Sequence, residues 1–404
     1  MLYISYDGLT DPLGQSQIIP YLTGLSEAGH KIFILSTEKK LLFKEKKHLI
    51  ENILLSSGIQ WFHILYSSRP KVISTLFDIL KLKRKAKGIY KNYNIDAVHC
   101  RSYIPSLIGV MLKTKYGIKF LFDMRGFWAD ERVDGKIWNL KNPFYRFIYK
   151  YFKKKEKEFL QFADGIISLT ENGRDAIHKW SYFESLLVGI DVIPCCVDTG
   201  HFNFNNINYE LQNDLRQTLL IKPEDLILSY LGSVGTWYML DEMLQFFNRL
   251  LIKYSNAKFL FVTPESKSYI HDFVKRNKIL PDRIIVVKSS REQVPIYLSL
   301  SKLSIFFIKP VYSKQASSPT KLAELMSMGI PFICNAGVGD IDEITKKTDA
   351  GLIIKDFNIE EYDKVIRNLD SFLNKPKETI RTSALELFSL KSGIEKYRQI
   401  YETL

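Results

Sequence analysis

The segment Ser317-Ser-Pro-Thr-Lys-Leu-Ala-Glu-Leu-Met-Ser-Met-Gly-Ile-Pro-Phe-Ile-Cys334 carries the signals of a helix that leads into a buried strand. Ser318 is a favoured N-cap residue, and Pro319 suits the first helical position. Gly329 suits the left-handed position that follows a helix, directly before the apolar run from Pro331 to Cys334. The segment therefore predicts one helix–strand unit of an α/β fold.

The two sides of this predicted helix differ in chemistry. Leu322, Leu325 and Met326 form one apolar stripe at helical spacing. Thr320, Lys321 and Glu324 fall on the opposite side, in the first two turns. A helix N-terminus presents free N–H groups and the positive end of a dipole, and Lys321 adds a full charge. We expect a diphosphate site here, with Glu324 accepting hydrogen bonds from ribose hydroxyls; the alternative is a surface helix in which Lys321 and Glu324 contact each other.

Short apolar runs alternate with amphipathic stretches along the whole chain, which predicts repeated βα units. The predicted strands are Leu2–Ser5, Lys31–Leu35, Gln60–Leu65, Ala97–His99, Lys119–Asp123, Gly165–Leu169, Val192–Pro194, Leu226–Leu231, Lys258–Val262, Arg283–Val287, Leu303–Ile308, Pro331–Cys334 and Gly351–Ile354. Such alternation predicts parallel sheets covered by helices on both faces, with ligands beyond the carboxyl ends of the strands. We expect two doubly wound, Rossmann-like domains that face each other across a cleft.

The polar stretch from Cys195 to Asn208 contains no strand pattern and is the best candidate for a hinge. The predicted domains are therefore residues 1–194 and residues 195–385. A C-terminal helix over residues 386–404 is expected to pack back on the first domain.

The composition is that of a folded protein with two sizeable cores: 404 residues, 46% hydrophobic and 25% charged. No run approaches the roughly 18 apolar residues of a membrane-spanning helix, and the chain opens on a strand pattern, so we expect neither a signal peptide nor a transmembrane segment. The four cysteines have no C-x-x-C spacing, which favours reduced thiols over a disulfide framework or a zinc site. These features predict a cytoplasmic protein.

The positive charge is concentrated in the first half of the chain. Residues 1–190 hold 30 Lys and Arg against 18 Asp and Glu, which accounts for +12 of the formal charge of +13. It clusters in Lys81–Lys87 and in the aromatic and basic run Phe144–Lys157. Rings interleaved with lysines suit a surface that lies against anionic lipid headgroups, so we expect peripheral contact with a membrane. The alternative is a solvated helix with its rings in the core; nucleic acid is not expected, because no binding motif accompanies the charge.

Two further segments supply candidate site residues. In the loop Tyr6–Gln17, Gly14 would let backbone approach a ligand closely, and Gln15 stands beside it, although the spacing is not that of G-x-G-x-x-G. The stretch Phe122–Asp134 follows a predicted strand and is expected to form a loop that binds sugar or supplies acid and base groups. The predicted acceptor-side residues are Arg101, Trp128, Asp130 and Glu131, and Arg125 is a candidate catalytic residue. A solvated loop with one anchoring ring is the alternative.

No metal site is predicted. Asp340-Ile-Asp342 is a D-x-D pair, but it directly precedes a short helix, where capping explains it better. The seven His residues are scattered, and no pair has metal-ligand spacing on one helix.

Taken together, these residues resemble a retaining glycosyltransferase of the GT-B fold, of glycosyltransferase family 4, over nearly the whole chain. Ser318–Pro331 resembles the family's donor-binding helix and the Gly-x-Pro turn after it. Ile193–Phe202 is similar to its interdomain Pro-x-x-Val-Asp-x-x-x-Phe signature. Asp11–Gln17 resembles the loop that reaches the donor phosphates, and Tyr230–Gly235, which includes Gly232 and Ser233, resembles the Gly-containing strand end of the second domain.

The resemblance implies transfer of a sugar from a nucleotide diphosphate donor, held by the C-terminal domain, to an acceptor held by the N-terminal domain, with the anomeric configuration kept. It implies that Glu324, the second acid of E-x7-E, binds ribose. It also implies that Lys321 and the helix start, with Ser318 and Thr320, hold the diphosphate without a metal or other cofactor. The donor-binding set is therefore Gly14, Gln15, Gly232, Ser233, Ser318, Thr320, Lys321 and Glu324.

The sequence departs from the family pattern at three places. Ala316 stands at the first acid of E-x7-E. Ser233 and either Trp237 or Tyr238 stand where a basic pair often follows the first strand of the second domain. The His expected after the fifth strand is replaced within Asp123-Met-Arg125.

The expected function is a retaining, metal-independent transferase that passes a hexosyl or N-acetylhexosaminyl group from a UDP- or GDP-linked donor to a lipid-linked or oligosaccharide acceptor in bacterial surface glycan synthesis. Lys321, Glu324 and Arg125 are the expected catalytic residues. The alternatives are a nucleotide-sugar epimerase of the same fold and a catalytically weak glycan-binding or scaffold subunit.

Overall fold

The computed structural model describes residues 1–70, 72–183 and 188–404. The chain forms two compact units. The N-terminal unit comprises Met1–Cys195, Gln315–Ser317 and Leu390–Leu404, and the C-terminal unit comprises Cys196–Lys314 and Ser318–Ser389. The short segment Gln315–Ser317 thus belongs to the first unit, although the helix that begins at Thr320 belongs to the second.

The N-terminal unit is an α/β layer structure with a parallel sheet. Its strands are β1 (Leu2–Ser5), β2 (Phe33–Glu38), β3 (Gln60–Leu65), β4 (Ala97–Arg101), β5 (Lys119–Asp123), β6 (Gly165–Ser168) and β7 (Ile190–Val192). Its helices are α1 (Pro12–Gln17), α2 (Ile19–Glu27), α3 (Lys40–Ser56), α4 (Ile73–Asn92), α5 (Tyr103–Tyr116), α6 (Trp128–Asp134), α7 (Pro143–Phe162), α8 (Glu171–His178) and, from the end of the chain, α18 (Leu390–Thr403).

In the described residues, the seven strands pair in the order β3-β2-β1-β4-β5-β6-β7. The order reverses beside β1, so the carboxyl ends of β1 and β4 border the crevice where ligands of such sheets bind. Tyr397 and Tyr401 of α18 pack against His99 of β4, and α18 lies against α2. The C-terminal helix is therefore part of the N-terminal unit.

The C-terminal unit repeats this architecture. Its strands are β8 (Ile227–Leu231), β9 (Lys258–Val262), β10 (Ile284–Val287), β11 (Leu303–Phe306), β12 (Phe332–Asn335) and β13 (Gly351–Ile354). Its helices are α9 (Tyr209–Thr218), α10 (Leu240–Lys253), α11 (Lys267–Arg276), α12 (Val294–Leu298), α13 (Thr320–Ser327), α14 (Ile341–Thr348), α15 (Ile359–Arg367), α16 (Leu369–Leu373) and α17 (Lys377–Phe388). Short 3-10 helices lie at Phe204–Asn206, Pro281–Arg283, Arg291–Gln293 and Tyr312–Ala316.

Within the described part of this unit the strand order is β10-β9-β8-β11-β12-β13, all parallel. The first strand, β8, lies at the reversal of order, so its carboxyl end borders the expected ligand crevice. The prediction of two Rossmann-like, doubly wound domains is confirmed. Each predicted strand overlaps an observed one, although β7 begins two residues before the predicted Val192–Pro194 and shares only Val192 with it. Among the described residues, no helix is long and apolar enough to cross a bilayer.

Candidate functional site

The helix α13 begins one residue later than predicted. Pro319 has an extended backbone, with φ −70° and ψ 116°, and occupies the N-cap position, so the predictions of Ser318 as N-cap and of Pro319 as first helical residue are wrong by one position. The Pro319 carbonyl accepts a hydrogen bond from the Leu322 N–H at 3.0 Å, which closes the first turn. At the other end Gly329 has φ +64°, as predicted, and a Cβ there would lie 2.7 Å from the Lys377 carbonyl oxygen. Only glycine fits that turn.

The polar side of α13 is not open to solvent, contrary to the simple two-sided pattern. Lys321 is 7% exposed and Glu324 is 8% exposed. Apolar residues cover the opposite side, as the stripe predicted, but the loop after β8 and the Arg291 side chain cover the polar side. Both charged groups are consequently held in a medium of low polarity.

The Lys321 ammonium lies against the end of β8. Its Nζ donates to the Tyr230 hydroxyl at 3.1 Å and lies 3.7 Å from the ring centre of Tyr238. A Cβ added at Gly232, where φ is +107°, would lie 3.4 Å from Nζ, so the absent side chain leaves the ammonium room. Burial lowers the pKa of Lys321 well below its usual range, although Glu324 opposes the shift. The free protein thus disfavours the charged form of Lys321, and an anion bound beside it would favour that form.

The Glu324 carboxylate is paired from its other side. Arg291 Nη1 lies 3.4 Å from Glu324 Oε1, and the His201 ring nitrogen Nε2 lies 3.1 Å from the Arg291 carbonyl oxygen. Burial raises the pKa of Glu324, while the charges of Arg291 and Lys321 lower it. Glu324 therefore pairs with Arg291. The alternative of a surface helix with a Lys321–Glu324 contact does not describe α13, because both side chains are buried.

Two aromatic residues that follow β8, Trp237 and Tyr238, each lie under a lysine from another part of the chain. The Lys321 ammonium lies over the Tyr238 ring, and the Lys314 ammonium lies over the Trp237 ring at 3.9 Å from its centre. Cations placed this way are attracted by the ring faces. The positive charges at this strand end are thus supplied from elsewhere in the chain, by Lys314 and Lys321. Ser233 is exposed, and its carbonyl accepts a hydrogen bond from the Tyr230 hydroxyl at 2.6 Å.

The loop after β1 is held by a carboxylate that the sequence did not single out. Glu38 is fully buried at the end of β2, where it accepts hydrogen bonds from the backbone N–H groups of Leu9 and Thr10 and from the hydroxyls of Thr10 and Ser36. A Cβ at Gly8 would lie 2.8 Å from Glu38 Oε2. The loop is therefore fixed in one conformation.

Gly14 and Gln15 both contact the loop that precedes α1. A Cβ at Gly14 would overlap the Gly8 carbonyl oxygen, so Gly14 lets α1 approach the chain's own loop. The Gln15 side chain donates to the Thr10 carbonyl at 2.9 Å. Both residues shape the loop, and in the described contacts of this unit neither is aimed outward.

The carboxyl ends of β4 and β5 gather a charged cluster. Arg101 is 4% exposed and donates through Nε to Asp7 at 3.3 Å. Arg125 has φ +57° and lies with Nη1 3.8 Å from Asp123, whose pKa it lowers, while burial opposes that shift. Asp123 also accepts from the Tyr397 hydroxyl at 3.0 Å. The fold therefore brings Arg101 and Arg125 to one sheet edge.

A buried histidine lies on β4, the strand next to β5. His99 of β4 is 2% exposed, and its Nε2 lies 3.4 Å from Asp123. Its Nδ1 lies 2.8 Å from the Tyr401 hydroxyl. Burial lowers the pKa of His99. This ring is enclosed by α18, so it stabilises the strand end together with Asp123.

The predicted loop over residues 122–134 contains the helix α6, and its polar residues are engaged within the unit. Asp130 accepts from the Tyr149 hydroxyl at 2.8 Å and from Lys153 Nζ at 3.0 Å. Trp128 packs among aromatic rings, including Trp138 at 5.4 Å between ring centres. Glu131 lies near the Gly126 backbone. Asp130 is therefore bound to α7, so a solvated loop does not describe this residue.

Ala316, at the place of the first acid of E-x7-E, is 2% exposed and belongs to the core of the N-terminal unit. A Cβ at Gly173 would lie 3.0 Å from Ala316 Cα, and the preceding Gln315 carbonyl accepts from the Thr170 hydroxyl at 2.6 Å. The residue at the place of this acid is thus buried within the N-terminal unit, where an unpaired carboxylate would be costly.

Among the residues described, no three His, Cys, Asp or Glu side chains come together in a group that could hold a metal ion. Asp342 Oδ2 accepts from the Gly337 N–H at 2.8 Å, which ties the turn before α14.

Sequence reasoning missed Arg291 and Glu38, and it named Tyr230 and Tyr238 only for their places in the family pattern, without predicting their contacts with Lys321. Tyr230 lies inside an apolar strand run and looked like core. Arg291 lies far from Glu324 along the chain, and no local pattern connects the two. Glu38 stands between Ser36-Thr37 and Lys39-Lys40, so no local pattern indicates a buried carboxylate there.

Two protein-family models match the chain, one in each half. A family model described as Glycosyltransferase Family 4 matches residues 21–201, and one described as Glycosyl transferases group 1 matches residues 212–382. The two matches leave out little of the chain besides its ends and residues 202–211. No curated protein matches it in sequence.

Solved structures resemble the chain over its full length. Sucrose-phosphate synthase from Thermosynechococcus elongatus has a TM-score of 0.73 at 15% identity, covering 99% of this chain and 98% of that chain. Anabaena HepE in complex with UDP and glucose has a TM-score of 0.70 at 12% identity, covering 100% and 99%. WaaG, a glycosyltransferase involved in lipopolysaccharide biosynthesis, has a TM-score of 0.67 at 13% identity, covering 99% and 98%. At these identities the likeness establishes the shared fold.

Proposed function

We propose that this chain, a glycosyltransferase of the GT-B fold, transfers a hexosyl or N-acetylhexosaminyl group from a nucleotide diphosphate sugar to a lipid-linked or oligosaccharide acceptor, with retention of the anomeric configuration. The setting proposed is bacterial surface glycan synthesis. The transfer needs no metal ion, because protein cations and backbone N–H groups take the charge of the departing diphosphate.

The observation that carries the proposal is the buried Lys321 ammonium. Its contacts are the Tyr230 hydroxyl and aromatic ring faces, and it sits at the start of α13 beside the Gly232 backbone. An ammonium group in such surroundings is costly without an anion. A diphosphate placed between the first turn of α13 and Gly232 would provide that anion, and the free N–H groups of the helix start would donate to it.

The chemical step follows from this placement. The bond between the anomeric carbon and the diphosphate oxygen breaks, and the electron pair leaves with the nucleoside diphosphate. The acceptor hydroxyl oxygen bonds to the anomeric carbon on the same face, and its proton passes to the departing diphosphate oxygen. Lys321 stabilises the charge that develops on the leaving oxygen, and a charge-assisted hydrogen bond of this kind contributes roughly 1.5–3 kcal/mol.

Glu324 is assigned to the ribose of the donor. Its carboxylate is fixed by Arg291, which leaves acceptor capacity on its oxygens for vicinal hydroxyls. Ser318, Thr320, Gly232 and Ser233 complete the proposed donor surface on the C-terminal unit. We favour UDP as the nucleotide, because the fold relative HepE is described in complex with UDP and glucose.

The acceptor is assigned to the N-terminal unit. Arg101 and Arg125 lie at the carboxyl ends of β4 and β5, where ligands of doubly wound sheets bind. Arg125 is the proposed second cation of the reaction, which requires its guanidinium to share its charge between Asp123 and the substrate. Trp128 and Glu131 would border this acceptor side, and Asp130 would support it through α7.

The proposed place of action is the surface of a membrane, at its cytoplasmic face. The support is the charge of the N-terminal half together with α7, on which Phe144 and Phe147 are 52% and 70% exposed beside several lysines. Phe152 and Phe159 of the same helix are buried in the core. The aromatic and basic run therefore divides into a buried set and an exposed set.

The test is product analysis with a panel of UDP- and GDP-linked sugars, each with and without a polyprenyl-linked or oligosaccharide acceptor. The proposal predicts nucleoside diphosphate release that depends on acceptor, and a glycoside whose anomeric configuration equals that of the donor by NMR. Conversion of the donor sugar without acceptor would instead identify an epimerase. The absence of both turnover and nucleotide binding would identify a scaffold subunit.

A further inference from the structure

The helix α4 exposes an apolar stripe on its outer side. Ile73, Leu76, Phe77 and Leu80 are 49%, 58%, 56% and 61% exposed, and their spacing of three, four and seven residues places them along one line of the helix. The inner side of the same helix already packs into the core through Leu82, Ala86 and Ile89. A helix that only covers a sheet would carry polar residues on its outer side.

The second half of the same stripe is basic. Lys81, Arg84 and Lys85 are exposed and continue the line of Leu76, Phe77 and Leu80 one to two turns further. The one acidic residue of α4, Asp78, is fully buried and accepts hydrogen bonds from the Tyr6 hydroxyl and the Ser67 N–H. Asp78 also pairs with Lys81, whose Nζ lies 3.3 Å from Asp78 Oδ1. The outward positive charge that remains on this line of α4 is carried by Arg84 and Lys85.

The end of β3 adds to this surface. Leu65 and Tyr66 are 43% and 41% exposed. The Ser67 N–H donates to Asp78 at 3.0 Å, and Lys81 Nζ donates to the Ser67 hydroxyl at 2.9 Å, so the strand end is tied to the first half of α4. The exposed apolar residues thus form one patch, larger than single exposed side chains would explain.

We propose that α4 docks this protein on a bilayer that contains anionic lipids. Ile73, Leu76, Phe77 and Leu80 enter the boundary between headgroups and acyl chains, and Arg84 and Lys85 contact the phosphate groups. An apolar stripe continued by cations is the pattern of helices that lie in the membrane interface. Charge complementarity selects this occupant over a second copy of the chain, because two copies would bring the same cations together.

This inference rests on the membrane location given in the proposed function and refines it. It assigns binding to inserted apolar side chains of α4, whereas a purely electrostatic attachment would use only the lysines and arginines. The two modes differ in their response to salt, since screening weakens contacts between exposed charges and leaves apolar burial in place. Wild-type protein is expected to keep a salt-resistant part of its binding.

The experiment is co-sedimentation of the full chain with vesicles of phosphatidylcholine alone and of phosphatidylcholine mixed with phosphatidylglycerol. The double variant Leu76→Glu/Phe77→Glu is expected to lose at least roughly tenfold in partitioning to the mixed vesicles. The matched control is Ile252→Glu on α10 of the C-terminal unit, where the wild-type side chain is 69% exposed. This control should partition like the wild type.

A further variant, Arg84→Glu/Lys85→Glu, is expected to remove the preference for mixed over neutral vesicles. UDP binding, measured by calorimetry, should be equal in all variants and shows that each is folded. Undiminished vesicle binding by Leu76→Glu/Phe77→Glu overturns the inference, as does a wild-type protein that ignores both vesicles. A wild-type dimer that this variant dissociates, with no vesicle binding, would assign the patch to a second copy and also overturn it. Vesicle binding through α4 without nucleotide binding would contradict the proposed function and leave this inference intact.

Discussion

The Lys321 ammonium nitrogen lies 3.1 Å from the Tyr230 hydroxyl oxygen, at the point where β8 of the C-terminal unit ends. The Tyr230 hydroxyl in turn donates to the Ser233 carbonyl at 2.6 Å. Strand, loop and helix α13 are therefore joined through one buried cation. The predictions below follow from the charge of that cation and from what surrounds it.

Replacement of Lys321 by Met should stabilise the free protein. Methionine keeps an unbranched apolar stem and removes a buried ammonium, which we expect to raise the free energy of unfolding by about 1–3 kcal/mol. Each kcal/mol corresponds to about 2–4 °C in the unfolding midpoint for a domain of this size. Thermal unfolding followed by circular dichroism measures this.

The effect of Lys321→Met should depend on pH with a defined sign. Since burial lowers the pKa of Lys321 in the folded protein, the unfolded chain binds this proton more tightly, and the penalty is fully present below the lowered pKa. The gain in stability should therefore shrink as pH rises through that lowered pKa. A lower midpoint for the variant at neutral pH would contradict a desolvated ammonium.

Diphosphate binding should take up protons. The bound anion favours the ammonium form, so it raises the pKa of Lys321 from its lowered value, and affinity should fall as pH rises between the free and bound values. Calorimetry with UDP above about pH 8, where the terminal phosphate is ionised, should show heats that vary with the ionisation enthalpy of the buffer. Lys321→Met removes this dependence if the assignment is correct; buffer-dependent heats of equal size in the variant would point to another group.

Removal of Arg291 should weaken donor binding most at acidic pH. Burial already raises the pKa of Glu324, and loss of the Arg291 charge raises it further, so Glu324 becomes protonated over a wider pH range. We expect Arg291→Ala to raise the Kd for UDP roughly tenfold, as a loss of about 1.4 kcal/mol requires. Arg283→Ala, in another 3-10 helix of the same unit, is the matched control. Equal and pH-independent affinities for wild type and Arg291→Ala would remove Glu324 from the ribose site.

Restoring the acid of the family pattern should harm this protein. Ala316→Glu would bury a carboxylate beside Gly173 and Gly126, with a cost of roughly 2–5 kcal/mol in the free energy of unfolding. Ser317→Glu places the same charge at a partly exposed neighbour and should cost much less. Denaturant unfolding compares the two. Higher transfer activity in Ala316→Glu, without loss of stability, would show that the position is open to substrate.

The fold was predictable because period-two and apolar strand runs alternate with helices throughout, and strands such as β5 and β9 begin and end where their residue patterns do. Helix boundaries were less certain: the extended backbone of Pro319 delays α13 by one residue. The stretch after β5 looked like a loop because its charged residues mask the short helix α6.

The environment of Lys321 was not predictable from its own segment. Helical spacing separates the two sides of α13, but it contains no information about Tyr238 or Arg291, which come from other parts of the chain and bury the polar side. The same holds for Ala316, whose burial depends on Gly173. In α4, the basic run Lys81–Lys87 is evident in the sequence. The exposed apolar residues before it share its outer line only because both lie on one helix.

The most direct test of the account is a calorimetric titration of UDP, with uridine as the ligand that lacks the diphosphate, into wild type and Lys321→Ala. The account predicts that UDP binds the wild type, that Lys321→Ala weakens UDP at least roughly tenfold and lowers kcat/KM by the same factor, and that uridine does not distinguish the two proteins. Equal UDP affinity and equal turnover in wild type and Lys321→Ala would contradict the claim that the buried ammonium at the start of α13 holds the donor diphosphate.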